Sequence, residues 1–392
     1  MAVRWHGPVY HRARGAGRGP TARSPVETPG FRPSDCPVAE QAAFHALPLP
    51  TVAASMNPVV SILIPAFNAQ AYIADTIKSA LGQTWLRKEI IVVDDGSRDQ
   101  TLSIARKLAS KEVAVVTQAH QGAAAARNRA FSICQGDYVQ WLDADDLLAP
   151  DKIARQMAAL DRGTSTRVLY SSAWGLFMYR PRMADFVPTP LWCDLRPVEW
   201  LFRKMGQGFF MQTSTWLVGR ALAQAAGPWN TQLSVDDDGE YFCRVLLASD
   251  GTRFVPEARV FYRFSGYKRL SYIGCSDHKM ESQFLSIRLH IGYLRSLEES
   301  ERTRQACMRY LQRWIPVFYP ERLDIVRQME QLAATLGGRL EVPLFSGKHV
   351  WIQEVVGWPL LKRLQTAKRR LRWSTARSVD RVLFLLESHG LI

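Results

Sequence analysis

The arrangement of apolar and polar positions changes character at residue 58. From there, Val59 to Pro65 is a short, β-branched apolar run of the kind buried in a parallel sheet. Residues 72–81 carry apolar side chains at 73, 77, 80 and 81, a helical spacing. Glu89 to Asp94 reads as a second strand, residues 100–110 as a helix and Val113 to Val116 as a third strand. A helix over 123–133 and a strand over 138–142 follow. Strand and helix alternating at this interval predict an α/β fold with a doubly wound parallel sheet, whose ligands bind beyond the carboxyl ends of the strands. Three polar segments fall at such ends: Pro65–Asn68, Asp94–Ser97 and Asp143–Asp146.

Outside this region the grammar differs. Residues 1–56 are rich in Arg, Gly and Pro and carry neither period, so they read as a disordered leader or a misplaced start ahead of Met56. Residues 57–275 are expected to form one domain, whose first half, 57–150, holds the alternation of strand and helix and whose second, 151–275, is rich in aromatics and turns. Residues 276–392 are helical and basic in pattern.

Composition narrows the classes. Among 392 residues, Lys and Arg exceed Asp and Glu by 50 to 36, a net charge of +14, which implies an anionic partner. The six cysteines are widely scattered, with no C-x-x-C, which fits a reducing, cytoplasmic setting better than a disulfide scaffold or zinc site. No apolar run reaches the ~18 residues of a membrane span.

The strand-end segments carry the chemistry. Carboxylates clustered as Asp143-Ala144-Asp145-Asp146 repel one another unless a cation lies among them, and hard oxygen ligands suit Mg²⁺ or Mn²⁺. The competing explanation is an N-cap for a helix starting near Pro150-Asp151, which needs one Asp rather than three. Asp94-Asp95-Gly96-Ser97 suits contact with a ribose or base, or a simple turn. Neither a G-x-G-x-x-G fingerprint nor a Walker lysine follows the first strand, which argues against dinucleotide enzymes and P-loop ATPases.

Four segments, VSILIPAFNAQAYIADTIKSALGQTW, EIIVVDDGSRDQT, QGAAAARNRAF and GDYVQWLDADDLLAPDKI, resemble in order and spacing the motifs of family 2 glycosyltransferases of the GT-A fold. The resemblance covers 58–153 strongly and weakens towards 272, and it implies that 57–275 is the catalytic domain, with 57–150 its nucleotide-binding half and 151–275 its acceptor half. It implies an inverting transfer of a hexosyl or N-acetylhexosaminyl group from a nucleotide-diphosphate sugar to an acceptor hydroxyl, with Mg²⁺ or Mn²⁺ as cofactor. By position, Pro65, Phe67, Asn68, Asp94 and Asp95 belong to the nucleotide pocket, with Arg127 close by. Asp143 and Asp145 belong to the family's D-x-D, and Asp145 and Asp146 to the metal. The family's catalytic base maps onto Ser234-Val235-Asp236-Asp237-Asp238-Gly239-Glu240, giving Asp238, with Asp237 one position away as the alternative. Trp216, after Thr213-Ser214-Thr215, is either an acceptor platform or core. Tyr262-Arg263 and Lys268-Arg269 occupy the place of basic groups that meet the diphosphate, and His120 reads as a structural or loop residue. The Q-x-x-R-W of processive synthases is missing, which favours single addition in bacterial surface-glycan assembly, onto a glycan or lipid-linked acceptor.

One segment lies outside this scheme. Residues 359–381 hold eight Lys/Arg and one acid, with Leu360, Leu364, Ala367 and Leu371 on one stripe. That pattern fits an interfacial helix on an anionic membrane at the inner face of the cell, or a helix packed by its stripe onto the catalytic domain. Two rival functions remain: a non-catalytic nucleotide-sugar or membrane-binding module, and a nucleic-acid binder. No nucleic-acid partner is expected, because no RNA- or DNA-binding motif accompanies the charge.

Overall fold

The computed structural model describes residues 58–160, 167–266, 272–274, 276–341 and 358–390. The expected leader at 1–56 and the basic Lys268-Arg269 pair lie outside the described residues. Among the described residues, one mixed sheet of eight strands organises the chain. Its first half is built as the pattern predicts: β1 (Val60–Ala66), β2 (Lys88–Asp94), β3 (Val113–Thr117) and β4 (Tyr138–Trp141) pair in parallel in the order β3-β2-β1-β4. Every residue of β1 is buried, as a central parallel strand covered on both faces requires. Helices α1 (Ile73–Leu81), α2 (Thr101–Lys107) and α3 (Ala123–Ile133) make the crossovers. In α1 the buried residues Ile73, Thr76, Ile77 and Ala80 recur at helical spacing.

The second half departs from the parallel pattern. Strand β7 (Leu217–Gly219) runs antiparallel to β4, and β6 (Val168–Phe177) joins it antiparallel on its far side. Strand β8 (Gly251–Arg263) then pairs parallel to β6, and the two-residue β5 (Leu147–Leu148) closes the edge against it. Helices α4 (Lys152–Ala158), α5 (Pro197–Phe202), α6 (Arg220–Ala226) and α7 (Asp237–Ala248) belong to this half. Among the described residues, four further helices, α8 (Asp277–Leu297), α9 (Glu301–Phe318), α10 (Leu323–Thr335) and α11 (Trp358–Ser388), form the helical C-terminal part. The apolar core is continuous from β1 through Trp141, Trp216 and Tyr241 to Ile287, Leu311 and Ile325 in α8, α9 and α10.

Candidate active site

Two turns and one helix N-terminus converge around Arg127. This side chain stands on α3, 4% exposed, with its guanidinium 4.3 Å above the Trp229 ring. Its Nη2 donates to Asp143 Oδ1 at 2.8 Å and its Nη1 to Asp237 Oδ2 at 2.6 Å. One fork therefore joins the turn after β4 to the start of α7, with Asp237 110 positions beyond Arg127 in sequence. Burial alone would lower the Arg127 pKa, but Asp237 and Asp143 raise it overall, so the cation is secure.

The turn after β4 is not a helix cap. Helix α4 begins at Lys152 with Asp151 at its N-cap, which leaves Asp143, Asp145 and Asp146 for another purpose. Burial and then the charge of Asp143 push the Asp145 carboxyl up to about 6, which identifies this turn as a place where negative charge is held at a cost. Arg263, at the end of β8, grips the turn by donating Nε to the Asp145 carbonyl at 2.7 Å and its backbone N–H to Asp146 Oδ1 at 2.8 Å. Asp146 corrects the expected ligand set. It is fully buried, and its second oxygen accepts from Gln212 Nε2, so both oxygens serve the protein. Burial, then Asp145 and Asp143, holds its pKa well above the usual carboxylate range. Among the described residues, no three His, Cys, Asp or Glu side chains form a metal cage. Asp143 and Asp145 are the partly exposed carboxylates of this turn.

At the ends of β1 and β2 the nucleotide-pocket candidates assemble. Pro65, the last residue but one of β1, lies opposite Val93 of β2. Phe67 is 42% exposed and stacks on His120 with centroids 4.1 Å apart. Asn68 adopts a left-handed backbone (φ 48°), which Asn tolerates, and its Oδ1 accepts from Arg98 N–H at 2.9 Å. Asp95 is buried and accepts from the N–H groups of Gln121 and Gly122 at 2.9 and 2.8 Å, with His120 Nδ1 2.8 Å away. Asp94 accepts from Ser97 N–H, while its Oδ1 is buried with no hydrogen-bond partner among the described residues. His120, read from sequence as a structural or loop residue, lies in the loop after β3, where it stacks on Phe67 and neighbours Asp95.

Helix α7 opens with three carboxylates in different surroundings. Asp236, at φ 55°, turns back into the protein, where Ser286 Oγ donates to it at 2.6 Å and Gln283 Nε2 at 3.3 Å. Lys204 Nζ and His290 Nδ1 lie 4.0 and 3.8 Å away. Burial would raise the Asp236 pKa, but Lys204 and His290 hold it below the usual range. A Cβ on Gly239 would collide with the Asp236 carboxylate, so a larger residue there has to displace that side chain. Asp237 is committed to Arg127. Asp238 is half-buried and accepts from Thr213 Oγ1 and Gly239 N–H, both at 2.9 Å. Burial, then Asp237 and Asp236, pushes its carboxyl up to about 6.

Trp216 is 1% exposed, with its ring stacked on Phe242 at 5.2 Å and tilted against Trp200. It is core, and the acceptor platform expected there is corrected. Tyr262-Arg263 brings its guanidinium to the turn itself rather than to open space. Sequence reasoning missed Thr213 as the partner of Asp238. The buried group formed by Lys204, Ser286 and His290 was also missed, because its members are up to 86 positions apart and carry no motif spacing.

A sheet whose parallel half ends in a nucleotide-type pocket, next to an acidic turn and a carboxylate-headed helix, defines the nucleotide-diphospho-sugar transferase (GT-A) class of fold. Residues 61–216 match the model of glycosyl transferase family 2. An uncharacterised glycosyltransferase of Haemophilus influenzae is 40% identical over 103 residues, 26% of this chain and 41% of that protein. The Escherichia coli UDP-Glc:α-D-GlcNAc-diphosphoundecaprenol β-1,3-glucosyltransferase WfaP is 40% identical over 100 residues, 25% of this chain and 40% of WfaP. The chain thus spans about two fifths of the length of these relatives. The crystal structure of Staphylococcus aureus TarS 1-349 in complex with UDP-GlcNAc superimposes with a TM-score of 0.55 at 17% identity, covering 70% of this chain and 81% of that one, a likeness of fold.

Proposed function

We propose that this chain is an inverting glycosyltransferase that moves a sugar from a nucleotide-diphosphate donor to an acceptor hydroxyl during bacterial cell-surface glycan assembly. The observation that carries the reading is the Arg127 fork, which brings the acidic turn at Asp143 and Asp145 and the carboxylates of α7 into one site. In this scheme the base and ribose lie between Phe67, Asn68, Asp94 and Asp95. Asp145, with Asp143, would hold Mg²⁺ or Mn²⁺, whose charge would offset that developing on the diphosphate leaving group. Asp238 accepts the acceptor's hydroxyl proton as that oxygen bonds to the anomeric carbon and the bond to the diphosphate breaks. Two differences favour Asp238 over Asp237 as the base. Asp237 is held in a buried ion pair, whereas Asp238 is partly accessible, and its carboxyl near pH 6 is ionised yet basic at neutral pH.

The TarS complex makes UDP-GlcNAc a reasonable first donor to try, and the named acceptor of WfaP makes a lipid-linked glycan a reasonable acceptor. We place the enzyme in the cytoplasm, at the inner face of the membrane. The free thiols of Cys134, Cys193, Cys243 and Cys307 support a reducing compartment. The test is nucleotide release from a panel of UDP-, GDP- and dTDP-sugars with Mg²⁺ or Mn²⁺, with and without EDTA. EDTA-sensitive hydrolysis of one donor supports transfer. Metal-dependent donor binding without turnover, even with lipid-linked acceptors present, would make the chain a binding module. Binding of nucleic acid and of no donor would refute both.

A further inference from the structure

Helix α11 presents opposite faces to opposite environments. One face is fastened to the protein. Trp358 and Trp373 are buried, the latter against Phe264 at 4.8 Å. Lys362 Nζ donates to Glu321 at 2.7 Å, and Arg377 Nη2 to the Tyr72 hydroxyl at 2.9 Å. Asp380 accepts from the Tyr179 N–H and from Arg180 Nε, each at 2.8 Å, and Glu387 accepts from Arg180 Nη1 at 2.7 Å. The attachment is therefore made by aromatic, charged and amide groups, and not by the leucine stripe.

The stripe faces outward. Leu360, Leu364, Leu371, Val382 and Leu385 are exposed by 48, 55, 71, 56 and 44%. At about 100° per residue, these five and Ala367 fall within a sector of about 60°. Leu360 and Leu385 are about 38 Å apart along the axis at 1.5 Å per residue. Arg363 and Arg381 flank the sector on one side and Lys368 and Arg372 on the other, all four exposed. The helix's two acids, Asp380 and Glu387, are turned inward to Arg180.

We infer that this outer face of α11 docks the protein on an anionic lipid bilayer, the apolar stripe entering the headgroup–acyl boundary and the four flanking cations meeting lipid phosphates. An apolar strip between two rows of cations matches a surface that is apolar below and anionic above. A second copy of the chain fits less well, since pairing two such faces would bring like charges together with no acid between them. Nucleic acid would leave the exposed leucines unexplained. This deepens the reading of a lipid-linked acceptor, because the inner face of the same helix touches Tyr72 and Phe264, beside the Arg263 that grips the acidic turn.

The test is flotation of the full chain with vesicles of phosphatidylcholine alone and of phosphatidylcholine mixed with phosphatidylglycerol. Wild-type protein is expected on the mixed vesicles and to be released by salt. Leu364→Glu with Leu371→Glu, and separately Arg363→Gln, Lys368→Gln, Arg372→Gln and Arg381→Gln combined, should each weaken partitioning by about tenfold or more. Helix content by circular dichroism and the thermal shift produced by UDP with Mn²⁺ should stay as in wild type. Unchanged flotation of both variants, equal binding to neutral vesicles, or no binding by wild type would overturn the inference. So would a wild-type dimer in light scattering that the leucine variant dissolves. The measurement uses neither donor nor acceptor, so a failure of sugar transfer leaves it standing, and its own failure leaves the donor site untouched.

Discussion

The substitution Asp238→Asn should make the protein more stable and nearly inactive. In the nucleotide-free protein this carboxyl sits near 6 against an ordinary 3.8, because burial and the neighbouring Asp237 and Asp236 disfavour its charge. That gap corresponds to about 3 kcal/mol of unfavourable ionisation at neutral pH. Partial exposure and weaker acceptance of the Thr213 and Gly239 hydrogen bonds by an amide reduce the expected gain to about 1–2 kcal/mol. The pH dependence gives the sign. The folded state holds this proton more tightly than the unfolded chain does, so the wild type loses stability as pH rises from about 4 to about 6 and is level above that. The amide of the variant does not titrate, and Asp145 and the other acids are common to both proteins. The stability difference in urea should therefore be small near pH 4.5 and reach its full value by about pH 7.5. Transfer should fall by about 10²–10⁴-fold with UDP affinity retained. A difference that does not grow with pH, or a loss of stability at pH 7.5, would refute the electrostatic account. Retention of transfer would move the base to Asp237.

Three further outcomes separate the roles of neighbouring residues. Asp145→Asn should abolish the metal-dependent part of nucleotide binding in calorimetry, and an unchanged affinity would remove Asp145 from the metal. Arg127→Met leaves Asp237 buried without its cation and should cost about 3–5 kcal/mol in urea unfolding, while a loss under about 1 kcal/mol would mean the ion pair is dispensable. Trp216→Phe should lower the melting temperature through lost packing and leave acceptor KM unchanged; a raised KM at unchanged stability would restore the acceptor platform.

The half of the fold that was legible in the sequence is the half with the strongest local signal. β1 and β2 are runs buried on both faces, and α1 and α3 carry their own periods, so their boundaries fall within one or two residues of expectation. The second half was opaque because β7 and β5 have three and two residues, too few to show a period, while the longer β6 and β8 carry no regular alternation of buried and exposed positions. The site follows the same division. The acidic turn and the Asp triplet stood out as clusters of like charge, but what each carboxylate does depends on partners distant in sequence. Gln212 and Arg263 take Asp146 inward, Thr213 steadies Asp238, and Phe242 covers Trp216. None of these pairings leaves a spacing to read.

The attachment of Asp236 bears on how the chain could be taken apart. Its hydrogen bonds from Gln283 and Ser286, and the one that Tyr293 donates to Glu240 at 2.6 Å, all cross position 276, where the sequence places the end of the catalytic domain. A cut there would strip Asp236, one residue before Asp237 and two before Asp238, of its donors from α8, and would leave Glu240 to Arg244 alone. For anyone grafting this domain onto another protein, or swapping its C-terminal helices to change the acceptor, the unit of exchange has to include α8.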